Sequence, residues 1–118
     1  MTRNIKIRFW VDALLARAHA AGASGYIVHK GDEDAGSIII KVTGFRQIPR
    51  ILIQSRNMDG DLIFVDISQT IIKGENEYHI AEKHTDEYIE KRIKQDRDVW
   101  IVEIDDKELR HFLTETVE

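Results

Sequence analysis

The chain has 118 residues with seven Gly, one Pro and no Cys, 42% hydrophobic and 32% charged, which suits one globular domain and excludes a disordered or fibrous chain. The absence of cysteine excludes disulfides, thiolate zinc sites, thiol nucleophiles and iron–sulfur ligation. A formal net charge of -4 argues against a protein that coats nucleic acid, while its division into +4 over residues 1–59 and -8 over residues 60–118 suits steering of a partner or a second copy.

Ile5, Ile7 and Phe9 alternate with Lys6 and Arg8, as in a half-buried strand, after which Trp10, Val11, Leu14, Leu15 and Ala18 fall at helical spacing. The pattern predicts a helix over 10–21, stopped by Gly22. Basic residues ahead of this stretch mimic an export signal, but Asp12 and Arg17 interrupt its apolar run. No segment has the length of a bilayer span, so a cytoplasmic location is expected.

Tyr26–Lys30 and Ile38–Val42 read as strands joined by the loop Gly31–Gly36, and a β-hairpin is the natural pairing. Pro49 breaks the stretch from Gly44 to Arg50 ahead of a strand at Ile51–Arg56, and Asn57–Asp61 turns the chain into Leu62–Asp66. Residues 68–83 fit either a hairpin around 74–76 or irregular structure. Thr85 is a candidate N-cap for a helix over 85–95, with Asp86 and Glu87 in its first turn and Lys91, Arg92 and Lys94 toward its end. Val99–Ile104 is apolar on both alternating faces until Glu103, the mark of a central strand ended by Asp105 and Asp106. Leu109, Phe112 and Leu113 then pack a short helix or strand onto the body.

The expected fold is α+β in a single domain over residues 1–118: an antiparallel sheet of five or six strands carrying two helices, held by Trp10, Leu14, Leu15, Ile89, Ile93 and Trp100.

The string GDEDAGS at 31–37 spaces two glycines like a phosphate-binding loop, but no Lys follows the second glycine and three carboxylates occupy the place of the phosphate. Asp32, Glu33 and Asp34 lack the spacing of a calcium loop, and Asp and Gly are ordinary turn residues. His79, Glu82 and His84 supply metal-ligand types within six residues at a spacing that puts them on one face of neither a helix nor a strand. His29 and His111 stand alone in the sequence; each is a candidate base in a pocket, and a partly buried histidine with one hydrogen bond is the commoner reading. Trp10 and Trp100 read as packing anchors rather than as the walls of a ligand groove.

Three stretches, WVDALLARAHAAG at 10–22, HKGDEDAGSIIIKV at 29–42 and DRDVWIVEIDDKELRHFL at 96–113, together resemble the small alphaproteobacterial domain-of-unknown-function family DUF1491. The loop after Lys30 and the Trp100 strand carry the likeness most specifically, and residues 44–83 match loosely. The resemblance implies a short cytoplasmic protein standing alone as one domain, and it brings no assigned activity, substrate or catalytic residue.

The expected function is a non-catalytic module that binds a protein partner or itself, with no cofactor and with neither nucleic acid nor membrane as partner. An alternative is a small hydrolase in which Asp32, Asp34, Glu103 and Asp106 hold a divalent metal against a phosphorylated substrate. A third reading places Arg3, Lys6, Arg8, Arg46, Arg50 and Arg56, interleaved with Phe9 and Phe45, on one RNA-binding surface; Arg46, Arg50 and Arg56 are also its candidates for partner contact.

Overall fold

A strand that is apolar on both faces reaches low energy only with cover above and below, and Val99–Ile104 finds that cover inside a sheet. The computed structural model describes residues 6–118. Its elements are α1 (Ile7–Ala20), β1 (Ser24–His29), β2 (Ile38–Thr43), β3 (Arg50–Arg56), β4 (Leu62–Asp66), α2 (Ser68–Ile72), α3 (Tyr78–Gln95) and β5 (Trp100–Asp105). The strands form one five-stranded sheet in the order β1-β5-β2-β3-β4. Its pairs are antiparallel except β2 with β5, which run parallel. The architecture is α+β with a mostly antiparallel sheet, as expected, and with a third helix, α2.

α1 begins three residues before the expected helix and absorbs the alternating stretch. Ile7 opens the series Ile7, Val11, Leu14, Ala18, whose members pack on the sheet, so the helical period outweighs the strand period there. Phe9, which a strand would have turned inward with Ile7, is 66% exposed on the opposite side of α1. Ile5 and Arg3 lie outside the described residues.

β1 and β2 do not form a hairpin. β5 lies between them, antiparallel to β1 and parallel to β2. Burial pattern decides over sequence adjacency: β1 alternates exposed and half-buried residues and suits an edge, whereas β5 is buried on both faces for most of its length. The 30–37 connection crosses the end of β5, where Asp32 N–H donates to the Asp98 carbonyl (3.0 Å) and Trp100 Nε1 donates to the Asp32 carbonyl (2.8 Å). A Cβ on Gly31 or Gly36 would collide with the Asp98 carbonyl and the Trp100 ring. These glycines therefore serve close backbone approach rather than the positive φ of a hairpin turn.

The stretch 68–83 is no hairpin: it holds α2, a turn at 73–77 and the start of α3. Asp66 caps Ser68 through its backbone N–H (2.9 Å) and hydroxyl, and the Ser68 hydroxyl accepts from Ile51 N–H (2.9 Å), which ties α2 to β3. α3 starts at Tyr78, where Glu77 accepts from His79 N–H (2.9 Å). Thr85 is therefore mid-helix; it is buried, and its hydroxyl donates to the Glu82 carbonyl (2.8 Å). Ala81, Thr85 and Ile89 repeat every four residues along the buried side of α3.

The C-terminal segment forms neither a helix nor a strand. Leu109, Phe112 and Leu113 pack against the α1 side of the core, with Leu109 and Phe112 in the left-handed region. Arg17 Nε donates to the Phe112 carbonyl (2.9 Å) and Arg50 Nη1 to the Leu109 carbonyl (3.2 Å). The segment ends beside β4, where Phe64 N–H donates to the Thr116 carbonyl (2.9 Å) and Glu118 N–H to the Phe64 carbonyl (2.8 Å). That edge of the sheet is closed by its own chain.

Candidate functional site

Alternation along β2 turns Ile38, Ile40 and Val42 toward α1 and Ile39 toward α3, and Lys41, in phase with Ile39, shares the α3 side. Lys41 is only 5% exposed, and its ammonium lies 2.8 Å from Asp86 Oδ1, 2.8 Å from Glu82 Oε2 and 3.9 Å from Glu103 Oε1. The contact to Asp86 is a hydrogen bond. Glu82 Oε2 accepts no directed bond, so charge attraction holds it in place. Strand register builds the rest of the row: Lys41 stands opposite Glu103, and Glu103 stands opposite Tyr26 of β1. The Tyr26 hydroxyl donates to Glu103 Oε2 (2.9 Å).

This row fixes protonation states. Burial by itself would lower the Lys41 pKa, but the bond to Asp86 and the nearby charges of Glu82 and Glu103 outweigh it, and the ammonium titrates above its ordinary value. Burial and the bond to Glu103 likewise push the Tyr26 phenol up. A lysine held as ammonium is neither a nucleophile nor a base, and Lys41 so held clamps α3 to β2 and β5. Its outer end is open: Tyr26 is 52% and Val28 46% exposed on the same side of β1.

The other sequence candidates are dispersed. Asp32 and Asp34 sit at the N-terminal end of β5 and Asp106 just past its C-terminal end, about 20 Å away at roughly 3.3 Å per strand residue, with Glu103 between them in the clamp. Asp32 accepts from Asp34 N–H (3.0 Å) and Ala35 N–H (2.6 Å), and Asp34 pairs with Lys6 (2.8 Å). The Asp106 carboxylate, nearly buried, accepts from Arg110 Nε (2.9 Å), Nη2 (2.8 Å) and backbone N–H (2.9 Å), and the Arg110 guanidinium holds its pKa down to about 2. His79 lies against the Tyr78 ring, Glu82 faces Lys41, and His84 lines a groove between α2 and α3. Among the described residues no set of three His, Asp or Glu side chains converges as a metal site.

His29 Nδ1 donates to the Val99 carbonyl (2.8 Å). His111 Nδ1 accepts from Leu113 N–H (2.9 Å), and burial together with the Arg50 charge lowers its pKa. Among the described residues the arginines do not assemble into one surface either. Arg50 pairs with Asp66 (3.2 Å) at the start of β3, Arg56 donates to the Gly60 carbonyl (3.1 Å) at its other end, and Arg46 lies over the Phe45 ring in the β2–β3 connection. Lys6 and Arg8 are paired with Asp34 and Asp12.

This fold recurs in known proteins. The family model described as "Protein of unknown function (DUF1491)" matches residues 5–114. The chain belongs to the DUF1491 family. A DUF1491 protein from Caulobacter crescentus CB15, seen in a crystal structure, is 32% identical with a TM-score of 0.81, over 97% of this chain and 99% of that one. A solution structure of a DUF1491 protein from the same organism is 31% identical with a TM-score of 0.80, over 99% of each chain. The fold is also that of a protein from A. tumefaciens, at 22% identity and a TM-score of 0.70 over 98% of each chain. No curated protein matches the chain.

Proposed function

We propose that this DUF1491 protein is a non-catalytic association module of the cytoplasm and that the surface it uses is the β1 edge, engaged by a second copy of the same chain. The observation that carries this reading is the contrast between the sheet edges. β4 is covered by residues 116–118, whereas β1 has no strand on its outer side among the described residues. β1, with the sequence SGYIVH, contains no Lys, Glu, Asp or Pro, the residues with which exposed edges usually repel pairing. It is also self-complementary. In an antiparallel β1 pair centred on Ile27, Tyr26 of each copy stands opposite Val28 of the other, giving two aromatic to β-branched cross-strand contacts on the α3 side.

The cytoplasmic reading draws support from α1. Its Val11, Leu14 and Ala18 are fully buried core residues, so the stretch that mimics an export signal is part of the fold.

Sedimentation velocity across a concentration series tests the proposal. The expected result is a shift from monomer to dimer mass with rising concentration, abolished by Val28→Lys, which puts a charge on the edge without touching the core. A monomer at all concentrations, or a dimer indifferent to Val28→Lys, overturns it.

A further inference from the structure

The cleft between α2 and α3 is a separate feature on the far side of the clamp from β1. It has a volume of about 410 Å³ and is lined by Thr70, Ile71, Lys73, His84, Glu87, Tyr88 and Lys91. That volume reaches the small-ligand range of roughly 300–1,000 Å³, in a depression that is shallow and open to solvent. Ile71 and Tyr88 are half-buried and supply an apolar floor, while Lys73 and Lys91 stand exposed at the rim. The Tyr88 ring is fixed, because its hydroxyl accepts from Arg92 Nη1 (2.6 Å) and the guanidinium lies over the ring.

The cleft carries a local excess of positive charge. Residues 60–118 carry net -8, yet the lining holds two lysines against one carboxylate, Glu87. Neither lysine is within ion-pair distance of a carboxylate among the described residues, although Glu87 and Lys91 have the four-residue spacing that permits a pair. Lys73 moreover occupies a left-handed position (φ 56°) directly before Gly74, where glycine would be the unstrained choice.

From these observations we infer that the α2–α3 cleft binds a small organic anion, a flat apolar body on the Ile71–Tyr88 floor carrying a carboxylate or phosphate between Lys73 and Lys91. The anionic group completes the two unpaired ammonium groups, and the ring-sized floor distinguishes such a ligand from a bare inorganic ion. This is independent of association through β1, which lies beyond the clamp.

Backbone amide NMR at low ionic strength, with phenyl phosphate, benzoate, inorganic phosphate and phenol as probes, tests the inference. The two organic anions are expected to saturate shifts at residues 70–73 and 84–91 with a Kd of about 1 mM, as ordinary efficiency for a ligand of roughly ten heavy atoms implies. Comparing them tells whether the carboxylate or the phosphate is preferred. Inorganic phosphate and phenol, each holding half of the recognition, are expected to bind at least about tenfold more weakly. Lys73→Gly with Lys91→Gln should weaken the organic anions to the same extent; both positions are exposed and the first change relieves strain, so the fold is retained. No saturable shift with either organic anion, or binding that phenol matches or the double substitution leaves intact, overturns the inference.

Discussion

Between α1 and the sheet, contact is mainly apolar: Val11, Leu14 and Ala18 meet Ile38, Ile40, Val42, Leu52, Phe64, Trp100, Val102 and Ile104, the C-terminal segment adds Leu109, Phe112 and Leu113, and one polar contact joins His19 Nε2 to the Gly25 carbonyl (3.2 Å). Between α3 and the sheet, a smaller apolar cluster of Ile39, Ile51, Ile89, Val99 and Ile101 is continued by the Lys41 clamp. Apolar burial is strong but nondirectional, so it covers a face without fixing where each helix stops. An ammonium held by carboxylates on a helix and a strand is directional and marks one position for α3. The consequence is that the α1 face is closed across the sheet while the α3 face ends at the clamp, leaving Tyr26 and Val28 of β1 to solvent.

The largest effect should come from the closed face. Trp100 is fully buried and its indole N–H anchors the 31–36 loop, so Trp100→Ala is expected to cost about 4 kcal/mol in urea unfolding. A loss below about 2 kcal/mol, the value expected of a half-exposed site, would mean that the α1 face does not dominate stability.

On the open face, Lys41→Met keeps side-chain length but leaves Glu103 without its cation. About 2 kcal/mol is expected, less than for a fully buried pair because Glu82 and Asp86 are half in water. The loss should shrink when Glu103→Gln is combined with it, since the charge that Lys41 neutralises on β5 is then gone. A cost that Glu103→Gln leaves unchanged would assign Lys41 to packing alone.

The same contrast explains what could be read from sequence. β5 was legible because a strand apolar on both faces has one kind of home, and Leu62–Asp66 because Asn57–Asp61 is an unmistakable turn. Local adjacency misled at β1 and β2, since nothing in residues 26–42 reveals that a strand seventy residues onward inserts between them. From residue 78 onward, Tyr78, Ala81, Thr85 and Ile89 do carry a helical period, but Thr and the sparse apolar residues dilute it. The clamp was missed outright. Its signal was present: Lys41 amid IIIKV and Glu103 amid WIVEID are charges placed within runs that demand burial, and two such opposite charges on neighbouring strands call for each other. The dispersed candidates Asp32, Asp34 and Asp106 were matched by residue type alone, which says nothing of the distance along β5.

A smaller effect distinguishes how the closed face is kept shut. The carboxylate of Asp106 grips Arg110 and the backbone of the turn from which the C-terminal segment runs over the α1 side. Its pKa is lowered from 3.8 to about 2 in the fold. A carboxylate with a depressed folded pKa contributes stability that is complete above its unfolded value and is lost as pH falls through the folded one. Stability should therefore decline between about pH 4 and pH 2, and Asp106→Asn should flatten that part of the profile. An unchanged acid limb in the variant would assign the decline to other carboxylates.

The smallest effect lies at the open end of the clamp. Tyr26→Phe removes only the hydroxyl that donates to Glu103, and because the bond is exposed to water the expected cost is about 0.5 kcal/mol, the low end for an ordinary hydrogen bond. The ring itself survives, so the cross-strand contact with Val28 of a second copy is kept and the dimerisation constant should stay within about twofold of the native value. Val28→Lys should do the reverse, leaving unfolding within about 0.5 kcal/mol and abolishing association. Measuring both variants by urea unfolding and by sedimentation separates the clamp from the edge. If Tyr26→Phe weakened association as much as Val28→Lys, the hydroxyl would belong to the interface and not to the fold, and the boundary between the clamp and the docking edge would have to be moved inward to Glu103.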